Sequence, residues 1–363
     1  MMILILKSLW ASWIKGRRPG YNPVAEPAPE EQGSNEKHSK RQQAGTFVLL
    51  FVAVLCILLF ATESILRLNP SPVPRCTKPH VRREWRALTT EEKKEFIRAV
   101  NVLAEIPSRW TGNGTIYDDF AILHGSVGSL SHRSASFLPW HRYTLILYEN
   151  ALREYAGFTG RIPYWDWSLD WMNMANSSIW DSVEGFGGDG HPAGPETVGE
   201  GRCVTEGPFA HLRPIIYNHT FATHCLSRGF HDGNTKGRLS GEAYKPEKIG
   251  EILRKSTYKE FSRELEIYLH GALHQGVNGD FKAMTAANDP LFFLHHAQLD
   301  RTWWRWQQED PRRRMAEYEG KHMFNSTTSN ATVNDMLLFG GFAKDIPVQD
   351  VMNTEGGLLC YRY

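Results

Sequence analysis

Apolar and polar positions repeat with a helical period over five stretches of this chain. "TTEEKKEFIRAVNVLA" spaces Phe96, Ile97, Val100 and Leu103 along one face, and Thr89 with Glu92 makes a capping-box pattern at its start. "WHRYTLILYENALREYA" (140–156) and the short "KPEKIGEILRKS" read the same way. "YKEFSRELEIYLHGALHQ" (258–275) sets Phe261, Leu265, Tyr268 and Leu269 on one side. A fifth helix starts at about Pro290, with Asp289 as N-cap and proline in the first turn, and runs to about Gln308. Residues 184–203, "EGFGGDGHPAGPETVGEGRC", hold too much Gly and Pro for regular structure. The pattern predicts a mainly α domain with long loops.

One run has no period. Ala44 to Ala61 carries no charge over 18 residues, which as a helix spans roughly 27 Å, close to a bilayer core. No polar stripe breaks it, and it begins too far from Met1 for a cleavable signal peptide. It reads as an uncleaved transmembrane signal anchor. The opening "MMILILKSLWASWI" is broken by Lys7 and too short to span. The expected organisation is a disordered cytosolic tail over 1–43, the anchor over 44–61, a Pro-rich linker over 62–75 and a folded domain over 76–363. Basic residues flank the span almost evenly, so orientation rests on other signals. Five Asn-x-Ser/Thr sequons, at Asn113, Asn176, Asn218, Asn325 and Asn330, and four of the five cysteines follow the span. They point to a glycosylated, lumenal or extracellular domain of a single-pass membrane protein of the secretory pathway. Cys203 with Cys225, and Cys76 with Cys360, are the expected disulfides, the second tying the two ends of the domain together.

Composition adds two constraints. A formal net charge of +1 suggests no nucleic-acid partner. With 12 Trp and 15 His, aromatic and imidazole groups can share a buried site. His270 and His274 stand at i and i+4, so both rings leave one helical face. The zinc-protease pattern needs Glu after the first of them, and Gly271 stands there instead. His295 or His296, adjacent on the next helix, can supply a third nitrogen. His124 and His132, read as loop residues, and His141 on a helix form a matching upstream group. Three imidazoles and three more, with no carboxylate, suit two copper ions better than hard cations.

The segments "FLPWHRYTLILYE", "IPYWDW" and "NDPLFFLHHAQLDRTWW", with the closing "YRY", resemble the signature segments of the tyrosinase family of type 3 copper proteins over roughly residues 76–363. The resemblance implies a four-helix bundle around a dinuclear copper site. It implies His124, His132 and His141 as ligands of the first copper, and His270, His274 and His296 of the second, with His295 a supporting neighbour. Phe292 and Asp300 flank His296 at i−4 and i+4, where a ring can pack the imidazole and a carboxylate can orient contacts around it. Glu266, with Glu264 as rival, matches the family's water-holding glutamate and is the expected catalytic base.

Several positions depart from the family pattern. Leu130 stands where many fungal members carry a thioether-forming cysteine. Gly271 stands where many efficient monophenol hydroxylases have Asn, and Ala283 near the gating position leaves the entrance open. The chain ends at Tyr363, so latency through a C-terminal lid domain is not expected.

The implied activity is copper-dependent oxidation by O2 of a phenol or catechol to an ortho-quinone. The short form with anchor and sequons resembles tyrosinase-like enzymes of fungal secondary metabolism that act on tyrosines of ustiloxin-type cyclic peptide mycotoxins. Partners are then a phenolic small molecule or tyrosine-containing peptide, O2, the membrane through residues 44–61, and partner oxidases in the same membrane. Pigment formation from small phenols is the alternative, and a non-catalytic O2-binding dicopper protein a more distant one.

Overall fold

A capping box starts the first helix of the folded unit. Thr89 Oγ1 accepts from the Glu92 N–H while the Glu92 carboxylate accepts from the Thr89 N–H, and α1 (Thr90–Leu103) follows with Phe96, Ile97, Val100 and Leu103 buried. The computed structural model describes residues 50–56, 76–323, 327 and 330–363. The chain divides into two compact units, Met1–Pro72 and Val73–Tyr363. Of the expected anchor only residues 50–56 are described, as helix; its remainder, the 1–43 tail, the 62–75 linker and Asn325 lie outside the described residues. No helix among the described residues is long and apolar enough to cross a membrane.

In the second unit α1 is followed by α2 (Ile116–Ser126), α3 (Phe137–Ala156), α4 (Pro246–Leu253), α5 (Tyr258–Glu264), α6 (Gly271–Val277), α7 (Leu291–Glu309) and α8 (Pro311–Arg314). The pattern missed α2. Almost every side chain from Ile116 to Gly125 is buried, so no polar face gives the helix a period; a second capping box, Thr115 with Asp118, starts it. α3 begins before Trp140 and ends where the pattern stops, at Gly157, whose φ of 65° lets its N–H reach back to the Leu152 and Arg153 carbonyls. α7 starts one residue later than expected, with Pro290 at the N-cap, but the Asp289 carboxylate still accepts from the Leu291 N–H at 3.0 Å.

The stretch expected as one helix over 258–275 is not uniform. Between α5 and α6 the residues Leu265–His270 form a π-helical turn. Tyr268, expected on the apolar side, is 58% exposed, while Glu266 and His270 are buried. A wider turn shifts the angular order of side chains, so a 3.6-residue reading misplaces them.

Strands are two residues long and pair in twos among the described residues. β1 (His80–Val81) lies parallel to β4 (Tyr361–Arg362), and Cys76–Cys360 closes beside that pairing. Cys203, on β2 (Arg202–Cys203), bonds Cys225 near β3 (Ser227–Arg228), so both expected disulfides are present. The tryptophan abundance goes largely into the core, where Trp85, Trp140, Trp165, Trp167, Trp303 and Trp306 are fully buried.

Helices α3 and α7 pack together through a buried charge network. Arg142 Nε donates to Asp300 Oδ1 at 2.5 Å, and its other nitrogens donate to Gln307 and to the Val351 and Met352 carbonyls. The Tyr361 and Tyr363 hydroxyls donate to Asp300 Oδ2, each at 2.5 Å, and Arg82 approaches the same oxygen at 3.6 Å. Asp300 therefore does not orient His296, as its i+4 position suggested; its lone pairs are taken by two arginines and two tyrosines. Asp300→Ala is expected to cost about 3–5 kcal/mol, because Arg82 and Arg142 are left buried with less anionic compensation. Tyr363→Phe, which removes one donor, is expected to cost about 1 kcal/mol. Urea unfolding of the two variants measures the difference; equal, small losses would show that the charge is screened.

Candidate metal centre

Each histidine of the upstream group has one ring nitrogen committed to a backbone carbonyl. His124, in the last turn of α2 and not in a loop as its "LHGS" context suggested, turns Nδ1 to the Met284 carbonyl. His132, in the turn before α3, donates from Nδ1 to Gly128 at 2.9 Å, and His141 on α3 to Phe137 at 2.7 Å. A carbonyl only accepts, so Nδ1 carries the proton and Nε2 the lone pair in all three rings. His124 Nε2 and His141 Nε2 lie 3.2 Å apart. Two lone pairs that close repel unless a cation sits between them, and nitrogen–metal bonds of about 2 Å fit that spacing.

The downstream group comes from the irregular helix and from α7. His270 ends the π turn, His274 follows on α6, and His296 sits on α7. His274 Nδ1 points to the Phe281 carbonyl. The Nε2 atoms of His270 and His274 and both nitrogens of His296 are buried with no hydrogen-bond partner among the described residues. Buried polar atoms without partners are costly, so a ligand is the natural account of these. Within each triad, one nitrogen per ring lies within 4.8 Å of the others, close enough to share one ion.

The two triads are neighbours. The His141 and His296 rings stack with centroids 4.4 Å apart, and Phe292 packs 4.1 Å from His296 and 4.9 Å from His124. Phe292 thus packs the imidazole as expected, and serves both groups. His295 stays beside the triad, its ring centroid 5.8 Å from His270 and 5.6 Å from His274, but its Nδ1 accepts from the Trp167 indole at 3.3 Å. The nitrogens close enough to share one ion are those of His296 with His270 and His274.

Burial, the largest cause, lowers the pKa of all six grouped histidines and of His295. His132 and His274 fall to about 4. At neutral pH the six rings are uncharged, so each has one lone-pair nitrogen to offer, and among the described residues no carboxylate belongs to either triad. Neutral imidazole sets of this kind suit copper.

Glu266 is buried, and its carboxylate accepts from the Arg133 N–H at 2.7 Å. Burial pushes its pKa up to about 7, against the opposing pull of Arg133. It lines a cavity of about 540 Å³, four residues before His270 in the chain and bonded to the residue after His132. Glu264, the rival, makes a surface ion pair with Lys255 at 2.7 Å instead.

Sequence reasoning missed the loop that holds both groups. The Phe281 and Met284 carbonyls, which fix His274 and His124, come from one segment on either side of Ala283. Asn278 and Gly279 turn the chain into it, both with φ of 55°. A Cβ on Gly279 would stand 2.0 Å from the Ser227 carbonyl oxygen, so no other residue fits. The Asn-Gly pair was the available signal.

Residues 114–309 match the common central domain of tyrosinase. The tyrosinase ustQ of Aspergillus flavus is 61% identical over 349 residues, covering 94% of this chain and 96% of its own. The tyrosinase-like protein phomQ2 of Diaporthe leptostromiformis is 61% identical over 297 residues, covering 82% and 76%. Among solved structures, a mutant polyphenol oxidase from Thermothelomyces thermophila superposes with a TM-score of 0.69 at 26% identity, over 84% of this chain and 93% of that one.

His296→Ala is expected to lower bound copper from two ions per chain to about one, whereas His295→Ala keeps both, as the two triads require. Metal analysis of the purified proteins reads this directly. Full copper in the His296 variant would dissolve the second triad.

Proposed function

This chain belongs to the tyrosinase family, and from that premise we propose that it is a copper-dependent phenol oxidase, with one ion held by His124, His132 and His141 and the other by His270, His274 and His296. Family membership makes it an oxidoreductase whose cofactors are two copper ions. The observation that carries the proposal is the pair of adjacent imidazole triads, the downstream one with buried nitrogens that have no hydrogen-bond partner among the described residues and the upstream one with two Nε2 atoms 3.2 Å apart. We assign these helices to a four-helix arrangement around the copper pair.

When bound, the coppers supply redox coupling to O2. Two catechols and one O2 then give two ortho-quinones and two waters; one monophenol and one O2 give one ortho-quinone and one water. The chain's residues do the rest. The carbonyls of Gly128, Phe137, Phe281 and Met284 fix ring orientation, and Phe292 packs against a ring of each triad, His124 and His296. Glu266 takes the phenolic proton on one carboxylate oxygen while the Arg133 N–H steadies the other. The cavity beside Glu266 gives a substrate a place to sit, which favours an enzyme over a non-catalytic O2-binding protein.

The substrate is a tyrosine-derived phenol or a peptide tyrosine of fungal secondary metabolism, a reading supported by the 61% identity to the tyrosinase ustQ. Small phenols, as in pigment formation, are the alternative. We place the domain in the secretory lumen or outside the cell, anchored through residues 44–61. Two disulfides support an oxidising compartment, and the four described sequon asparagines, Asn113, Asn176, Asn218 and Asn330, are all exposed.

Oxygen uptake by the copper-loaded protein with catechols, tyrosine and tyrosine-containing peptides tests the reading. Turnover of small catechols with no peptide modified would favour the pigment alternative; no turnover of any phenol would end the proposal. Glu266 is a base only when ionised, so monophenol kcat/KM is expected to rise as pH passes through about 7. Glu266→Gln should abolish that rise and lower monophenol turnover by about 10²–10⁴-fold. An unchanged pH profile in the variant would remove Glu266 from the chemistry.

A further inference from the structure

We infer that the phenol this chain oxidises carries a carboxylate, held by Lys259 and Arg263 at the mouth of the Glu266 cavity. The inference rests on the oxidase reading above and narrows its substrate class. Four cationic side chains, Arg133, Lys259, Arg263 and Lys321, line this cavity together with two carboxylates, Glu266 and Glu319. Glu266 is buried and already accepts a backbone N–H, so Glu319 is the only outward carboxylate there among the described residues.

Lys259 and Arg263 stand four residues apart, so both leave the same face of α5. Among the described residues neither side chain has an ion-pair or hydrogen-bond partner. Their neighbours are paired: Lys255 with Glu264 on the same side of the molecule, and Arg313 with Glu317 just before the far wall. Unpaired cations converging on a concave surface hold a positive potential there, and a carboxylate is the complementary group.

The cavity also has an apolar part. Ile267 lines it and is 51% exposed, an apolar surface against which a phenol ring can pack. Glu266 lies three residues beyond Arg263 and seven beyond Lys259, which along a helix is about 5–10 Å. A phenol whose hydroxyl meets Glu266 therefore reaches these cations with a carboxylate a few bonds from the ring. A hydroxyphenyl-propionate, a free amino acid or an acidic tyrosine peptide has that shape.

The test compares 3-(3,4-dihydroxyphenyl)propionate with its amide as substrates of the copper-loaded protein. In parallel, binding of the unreactive 3-phenylpropionate and its amide is measured by calorimetry. The carboxylate is expected to be favoured about tenfold in both kcat/KM and affinity, the scale of a partly exposed charge-assisted hydrogen bond. The double variant Lys259→Gln with Arg263→Gln should bring both ratios close to one, and Arg263→Lys should retain most of the preference. Equal handling of acid and amide by the wild type, or a preference that survives in the double variant, would overturn the inference. A binding preference without turnover of either compound would leave the carboxylate site at Lys259 and Arg263 standing and sink the oxidase reading.

Discussion

The contact between Arg142 and Asp300 fixes the geometry on which the metal centre depends. Arg142 follows His141 in α3, and Asp300 lies one turn beyond His296 in α7. The two helices that each bring a ligand to a different triad are therefore joined next to those ligands. Both charges are buried, and a buried charge tolerates little displacement from its partner. Arg142 also lies over the Trp303 ring at 3.5 Å, and Tyr361, Tyr363 and Arg82 complete the shell around Asp300. Sliding of α3 against α7 would break several of these contacts at once. The stacking of His141 on His296 is kept by the same restraint.

A second layer of control acts on the rings themselves. Four of the six grouped imidazoles are steered by backbone carbonyls, so their orientation follows from the path of the chain and not from other side chains. Two of these carbonyls belong to one short loop that reaches from the downstream group to the upstream one. The loop exists in that shape because Gly279 passes within contact of Ser227. A site made this way is sensitive to backbone changes at positions that touch no ligand.

Much of this was legible in the residues. Thr89 with Glu92, the i and i+4 pair His270 and His274, and Asp289 before Pro290 are local signals, and each behaved as its spacing indicates. What failed was non-local. α2 is buried on all sides, so its helix leaves no alternation to read, and the sequence around His124 reads as loop. The π turn changes the number of residues per turn, which moved Tyr268 out and Glu266 in. Asp300 looked like a neighbour of His296 until residues more than sixty positions away claimed its oxygens. The choice between His295 and His296 depended on Trp167, on a different segment altogether.

The long disulfide also sets an order of events. Cys203 and Cys225 are 22 residues apart, whereas Cys76 and Cys360 are separated by 284. At synthesis rates of roughly 5–20 residues per second, Cys76 emerges some 15–60 s before its partner exists. Over that interval the local pair can close while Cys76 still carries a free thiol, exposed to mispairing with either of them. β1 waits equally long for β4, and the shell around Asp300 for Tyr361. The clamp between α3 and α7 is therefore completed late, and the two triads gain their final spacing only after nearly all of the domain has been made.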